Sequence, residues 1–433
     1  MFRMGGIACR FVLGSLLIGS MACAGAWSEP VLVAEGEAQR GPWRMNDSDF
    51  RWVDDPSAAI AKNGDIIVVW VDQEAQDVML QRFGGSGREP RFSEPTVVSR
   101  SPSVFSWLPR VAVSVDEVGN ETVHVLWQEI LFQGGSHGGE IFYARSDDGG
   151  KSFHSPRNLS NTQGGAGKGR QTRSNWHNGS LDLMVTNDGT VFTVWTEYDG
   201  GLFLRRSVDN GSSFQDPVLV GGDDHRPARG PTLALDSKGT LALAWTQGET
   251  VTADIQVVFS EDRGKNFSEP MVLVEDTLLA DAPKLAFDAK DRLHLVFSRS
   301  RGFDLTTSEV VHVRFSLHSS NDVSKPLVLA SGGAGFADLA IDRNDRLHMI
   351  WHTVAKGGRR PAALQYQSAM VDDLEPGGSA LLPQSDARMG GGLQGLLIRK
   401  LALGPDGEVA VVHSYFDDSD NKSGILLWEK QCP

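Results

Sequence analysis

One pattern recurs along this chain: a short alternating apolar run, a turn of Asp, Asn or Gly, and a second apolar run that usually ends in an aromatic residue. Seven copies occur, over residues 56–70, 109–127, 181–195, 231–245, 283–297, 337–351 and 399–413. Period-two alternation around a turn that tolerates positive φ makes each copy a β-hairpin. The copies follow one another about every 50 to 70 residues, which leaves room for two more strands in each and is too long for most helical repeats. The expectation is an all-β chain folded as a seven-bladed β-propeller with four-stranded antiparallel blades. Six blades would follow if one hairpin belonged to an insertion.

The two ends of the chain bear on how such a ring closes. Outer strands open with the phrase Phe92-Ser93-Glu94-Pro95 or Phe267-Ser268-Glu269-Pro270, and Trp27-Ser28-Glu29-Pro30 repeats it with no blade of its own. The last unit has the complementary gap, since its third strand near 424–428 is followed by no fourth. Pairing 30–33 with 426–428 would close the ring with the N-terminal strand and remove two exposed sheet edges. The expected organisation is a signal peptide over 1–26 and one propeller domain over 27–433.

The leader reading rests on Arg3 and Arg10, an apolar stretch over 11–22 too short to span a bilayer, and the small-residue site Ala24-Gly25-Ala26. It predicts an exported, periplasmic or secreted protein starting at Trp27 with no transmembrane span. Lipid attachment at Cys23 is the alternative, although Ser20-Met21-Ala22 lacks the Leu expected before such a cysteine. Cys9 and Cys23 lie in the leader, so Cys432 is left alone and neither a disulfide nor a cysteine zinc site is expected. A formal charge of -14 with no basic stripe argues against a nucleic-acid partner. No cofactor and no metal site are expected. His124, His294, His312 and His348 fall inside strands and read as packed repeat residues, and His177 and His225 lack a ligand spacing. Asn178-Gly179-Ser180 and Asn210-Gly211-Ser212 are glycosylation sequons only in a secretory-pathway host.

Between the third and fourth strands of three units stands one octet, Ser-x-Asp-x-Gly-x-x-Phe. Its fixed positions are Ser146, Asp148, Gly150 and Phe153, then Ser207, Asp209, Gly211 and Phe214, then Ser260, Asp262, Gly264 and Phe267. Ser and Asp can bond the turn's own backbone, Gly allows positive φ, and the aromatic tucks beneath, so the motif reads as a structural turn.

These three Asp boxes, set in a propeller repeat, resemble the sialidase superfamily of Asp-box (BNR-repeat) propellers over essentially all of 27–433. The resemblance implies an arginine triad for a substrate carboxylate, a Tyr/Glu nucleophile pair and an Asp acid/base. Carried over by position, Arg51 is the match for the first arginine, because Asp54 occupies the usual place before Pro56. Arg299 matches a second arginine and Asp72 the acid/base. The last inner strand should open on the nucleophilic Tyr, but none occurs between Gln367 and Ser414, and Tyr415 stands at the far end of that hairpin.

In this fold the loops that lead into each inner strand and those that leave the second strand meet at one mouth, opposite the Asp boxes. The candidate ligand-binding residues there are Arg51, Arg229, Arg299, Arg399, Trp176 and His177, with Asp72, Tyr415 and Glu197 as candidate catalytic groups. Asp281 is a further acid or base if it approaches Asp72 and Glu197. Arginine forks carboxylates and aromatic rings stack on sugars, so the partner expected is an acidic glycan, or else an envelope protein. Three functions stand side by side: a glycan- or partner-binding propeller without a clear sialidase set, an exo-sialidase-type glycoside hydrolase acting on acidic glycans, and a protein-assembly scaffold.

Overall fold

In a computed structural model, seven four-stranded antiparallel sheets stand in a ring. The structure describes residues 25–42, 44, 46–84, 89–101, 104–130, 139–162, 169–172, 175–177, 181–197, 199–273, 278–316, 323–354, 361–388, 399–417 and 419–430. The leader with Cys23, the sequon Asn178-Gly179-Ser180 and Cys432 lie outside them.

Blades 1 to 6 run outward in chain order from inner strands Val53–Ile60, Ser106–Val115, Leu181–Val185, Ala228–Leu235, Leu279–Phe287 and Ala334–Ile341. Blade 7 is built from Leu401–Leu403, Val409–Asp417, Lys422–Lys430 and, as its outermost strand, Val31–Glu37. The predicted closure is therefore present, with Val31 opposite Leu427 and Leu32 opposite Leu426. Beyond the strand, the Ser28 amide donates to the Glu429 carbonyl, and Trp27 meets Tyr366 edge-on at 4.9 Å.

The core lies between the blades. Seven apolar clusters fill the seven seams; Val69, Leu80 and Trp127 lie between blades 1 and 2, for example, and Phe192, Leu204 and Trp245 between blades 3 and 4. This explains the Trp or Phe at the end of six of the seven second runs. Trp70, Trp127, Trp195, Trp245, Phe297 and Trp351 are all buried in these seams, where a large flat side chain excludes most water per residue ordered. The closing seam between blades 7 and 1 also takes Val31, Val33 and Ala34 from the N-terminal strand.

Each octet folds as a self-bonded turn. In the second, the Ser207 hydroxyl donates to Asp209 at 2.7 Å and accepts from the Gly211 amide at 2.9 Å, and Asp209 accepts from the Ser213 amide at 2.8 Å. The same bonds recur around Asp148 and Asp262. Gly211 has φ +77°, and a Cβ there would run into the Tyr143 hydroxyl. Asp209→Ala is expected to cost about 1 kcal/mol, the worth of a solvent-screened charged hydrogen bond, and Gly211→Ala about 2 kcal/mol or more. Urea denaturation measures both. Ligand binding at the opposite face should stay unchanged in each variant.

The in-strand histidines are packed, as the sequence suggests. His124 sits between the Ser114 and Tyr143 hydroxyls, His294 contacts His312, and His348 meets the Tyr366 hydroxyl.

Candidate functional site

The inner strands share a device that was not read from the sequence. Five of them break register at one place, between Asp54 and Ser57, Trp107 and Arg110, Arg229 and Thr232, Asp281 and Lys284, and Gly335 and Asp338. In each bulge the first extra residue has positive φ: Asp55, Leu108, Gly230, Ala282 and Phe336, between 52° and 59°. A bulge bends its strand and re-aims the next side chain, and here that side chain turns to the axis.

The result is a ring of one residue per blade: Ser57, Arg110, Asp182, Thr232, Lys284, Asp338 and Lys400, all buried. Carboxylates of the ring tie neighbouring inner strands together. Asp182 accepts from the Leu233 amide of blade 4 at 3.1 Å, and Asp338 accepts from the Lys400 and Leu401 amides of blade 7 at 2.7 and 3.0 Å. Asp55, two residues before the ring residue Ser57, does the same for the Leu108 amide at 3.1 Å.

Arg399 spans this ring. Its guanidinium leaves blade 7, meets Asp182 of blade 3 through both carboxylate oxygens at 3.1 and 2.5 Å, and lies 3.4 Å from the Thr232 hydroxyl of blade 4. The Arg399 side chain is 24% exposed against 1% for Asp182, so the arginine retains some contact with solvent where its partner has almost none. Burial works to raise the Asp182 carboxyl, yet Arg399 holds it below the ordinary carboxylate range. Beside the ring, at the seam of blades 6 and 7, the Nε2 atoms of His352 and His413 lie 2.5 Å apart, both rings buried.

The residues matched to the sialidase pattern do not assemble around this point. Arg51 pairs with Asp49 at 3.2 Å and Glu37 at 3.8 Å on a short hairpin beside the outer strand of blade 7, and is partly exposed. The inner strand of blade 1 is bulged between Asp54 and Ser57, but the bulge turns Asp55 and Ser57 inward and leaves Arg51 outside. Arg299 lies opposite Glu309 in its own hairpin and bonds it at 2.7 Å. Arg229 is fully buried, 3.3 Å from Asp281, and also donates to the Gly248 carbonyl. Asp281 is thereby held by Arg229 and by the Thr246 hydroxyl at 2.9 Å, away from Asp72. Asp72 caps its own turn by accepting from the Glu74 and Ala75 amides. Tyr415 is buried in the seam of blades 6 and 7 beside Leu426 and Trp428, so its ring serves packing there. Trp176 and His177 lie on the short strand Asn175–His177, which pairs with Gly169–Thr172 in a two-stranded hairpin outside the blades.

Glu197 stands apart from the other candidates. It closes the turn between the second and third strands of blade 3, and burial, with Asp199 and Glu140 nearby, pushes its carboxyl up to about 7. A carboxyl raised in the folded state keeps its proton longer there. Its stability contribution is therefore full below the ordinary value of 4.5 and is lost as pH climbs toward about 7. Glu197→Gln is expected to raise stability at pH 8 by about 2 kcal/mol and to leave it nearly unchanged at pH 4. Chemical denaturation at the two pH values measures the difference.

No protein-family model matches the chain, and no curated protein does. Solved structures match it over most of its length. An ulvan lyase of polysaccharide lyase family PL25 superposes with a TM-score of 0.55 at 12% identity, covering 92% of this chain and 95% of that one. A protein of unknown function from Dyadobacter fermentans gives 0.51 at 13% identity, covering 93% and 99%. A mutant of the NanB sialidase from Streptococcus pneumoniae gives 0.50 at 10% identity, covering 78% and 71%. The chain has a sialidase-like propeller fold. At these identities the likeness is one of fold alone, and the site must be argued from its own residues.

Proposed function

We propose that this chain is an exported sialidase-like propeller that binds an acidic glycan at the end of its axis capped by Arg399, without sialidase hydrolysis. The observation that carries the reading is Arg399 itself: a planar guanidinium on the axis, half engaged by Asp182 and partly open to solvent. A carboxylate from a sugar acid can take the open face of that fork, and the cationic groups beneath it favour an anion. Against hydrolysis, Arg51, Arg229 and Arg299 each meet a different carboxylate of the chain, and Tyr415 is packed in a seam. Among the similar structures, the ulvan lyase and the sialidase bear the names of glycan-acting enzymes.

Glu197 favours a second reading, because a carboxyl near 7 suits a general acid. In that case the chain is a glycoside hydrolase. A glycan array together with a fluorogenic sialoside separates the two. The binding reading expects retention of carboxylate-bearing glycans and no turnover. Turnover abolished by Glu197→Gln would replace it with the hydrolase, and an array with no retained glycan would leave an envelope-protein partner or a scaffold.

A further inference from the structure

A cavity of about 150 Å³ lies away from the axis, at the seam where the Asp-box turn of blade 3 meets the outer half of blade 2. Blade 2 supplies Tyr143 and Arg145 from its third strand, Glu140–Ser146, and Arg157 from its outermost strand, Arg157–Asn158. His154 and Ser155 come from the link that follows its own Asp box, and blade 3 supplies Gly211 and Ser212. The walls are fixed from both sides. Tyr143 stands opposite Arg157 in the sheet, the Arg145 guanidinium donates to the Asn210 carbonyl at 3.1 Å, and the Tyr143 hydroxyl lies so close to Gly211 that a Cβ there would strike it.

Asp147 is the carboxylate beside this cavity, and it is already shared by His154 at 2.8 Å and Arg145 at 3.6 Å. Arg157 is left over. Among the described residues its guanidinium makes no hydrogen bond and no ion pair, and the hydroxyls of Ser155 and Ser212 bond nothing. Carboxylates are not scarce in this chain, with 55 acidic residues to 41 basic, and arginines such as Arg82, Arg263 and Arg292 each hold one. A guanidinium and two hydroxyls, brought to one cavity from two blades, thus lack only an acceptor. We propose that this cavity binds a tetrahedral oxyanion, sulfate or phosphate, held by Arg157 and the two serine hydroxyls with the Arg145 charge behind it. Size limits the occupant: pockets for whole small molecules run to about 300–1,000 Å³, so this one takes a single group. Shape favours a tetrahedral group, because donors approach from both blades, whereas a planar carboxylate is satisfied by one fork. A free ion and the ester group of a larger molecule present the same chemistry to these donors.

Selenate, the heavier analogue of sulfate, is the crystallographic probe. Crystals of the wild type and of Arg157→Gln soaked in sodium selenate are expected to show an anomalous peak in the cavity beside Arg157 and Ser212 in the first and none there in the second. No peak in the wild type, or an undiminished one in Arg157→Gln, overturns the assignment. Because Arg157 bonds nothing in the protein, the variant should keep the wild-type Tm. In solution, calorimetric titration with sodium sulfate, at an ionic strength fixed with sodium chloride, should find the affinity about tenfold weaker in Arg157→Gln and about threefold weaker in Ser212→Ala. Arg343→Gln, an exposed arginine of blade 6, should bind as the wild type does, and equal losses in it and in Arg157→Gln would reduce the effect to net charge and overturn the site. Titration with a hexose 6-sulfate distinguishes the sources: affinity similar to that for sulfate shows that the ester group is accepted, and binding of sulfate alone restricts the cavity to the free ion. Sulfate and selenate are not glycans and the cavity lies away from Arg399, so failure here leaves the glycan reading untouched.

Discussion

A chain lacking residues 27–37 is expected not to accumulate as a folded monomer. The lost segment supplies the outermost strand of blade 7, and without it Lys422–Lys430 presents an unpaired edge to solvent. An edge of that length templates pairing with other chains. The damage extends inward, because Val31, Val33 and Ala34 help to fill the seam between blades 7 and 1. The Ser423 hydroxyl, which accepts from the Val53 amide of blade 1, also donates to the Glu37 carbonyl. One strand thus holds together the first and last blades of a ring whose every other seam is continuous in sequence. Size-exclusion chromatography with light scattering should find aggregate or nothing soluble, and a synthetic 27–37 peptide added during refolding should restore monomer. A truncated monomer with wild-type Tm would mean that the ring closes without its strand.

Arg399→Ala should be the most damaging point substitution on the axis, costing about 3 kcal/mol, because it leaves the buried Asp182 carboxylate without its cation. Asp182 cannot simply turn to water, since its Oδ2 also holds the Leu233 amide across the seam of blades 3 and 4. Adding Asp182→Asn keeps an acceptor for that amide and removes the stranded charge, so the double variant should recover part of the loss. A double-mutant cycle in urea measures the coupling. A loss below about 1 kcal/mol for Arg399→Ala, within the range of exposed ion pairs, would show that Arg399 is an ordinary surface charge and not the cap of the axis.

Fold and site were legible to different degrees, for a physical reason. A hairpin is a local object. Alternation, turn chemistry and the terminal aromatic are written within some fifteen residues, so the blades and the closing strand could be placed from the sequence alone. The axial ring joins residues from every blade, and no pairwise spacing announces it. Arg399 and Asp182 are 217 positions apart. A signal did exist: Ser57, Asp182, Thr232, Lys284, Asp338 and Lys400 each stand four residues before the first residue of their hairpin turn. Arg110 is displaced by a longer hairpin. Proline at 56, 109, 231 and 283 reads as a strand start, yet each lies inside its strand, within the bulge that turns the following side chain inward. Candidates such as Arg299 and Arg51 were chosen by their place along the strand, and local carboxylates at Glu309 and Asp49 claimed them.

The most direct test is calorimetric titration of the wild-type protein with a uronic-acid oligosaccharide and with the same oligosaccharide after reduction of its carboxyl groups to alcohols. Recognition by an open guanidinium predicts saturable heat for the acid and little for the reduced sugar, with the affinity falling as salt is raised. Equal binding of the two sugars, or no binding of the acid, would contradict it.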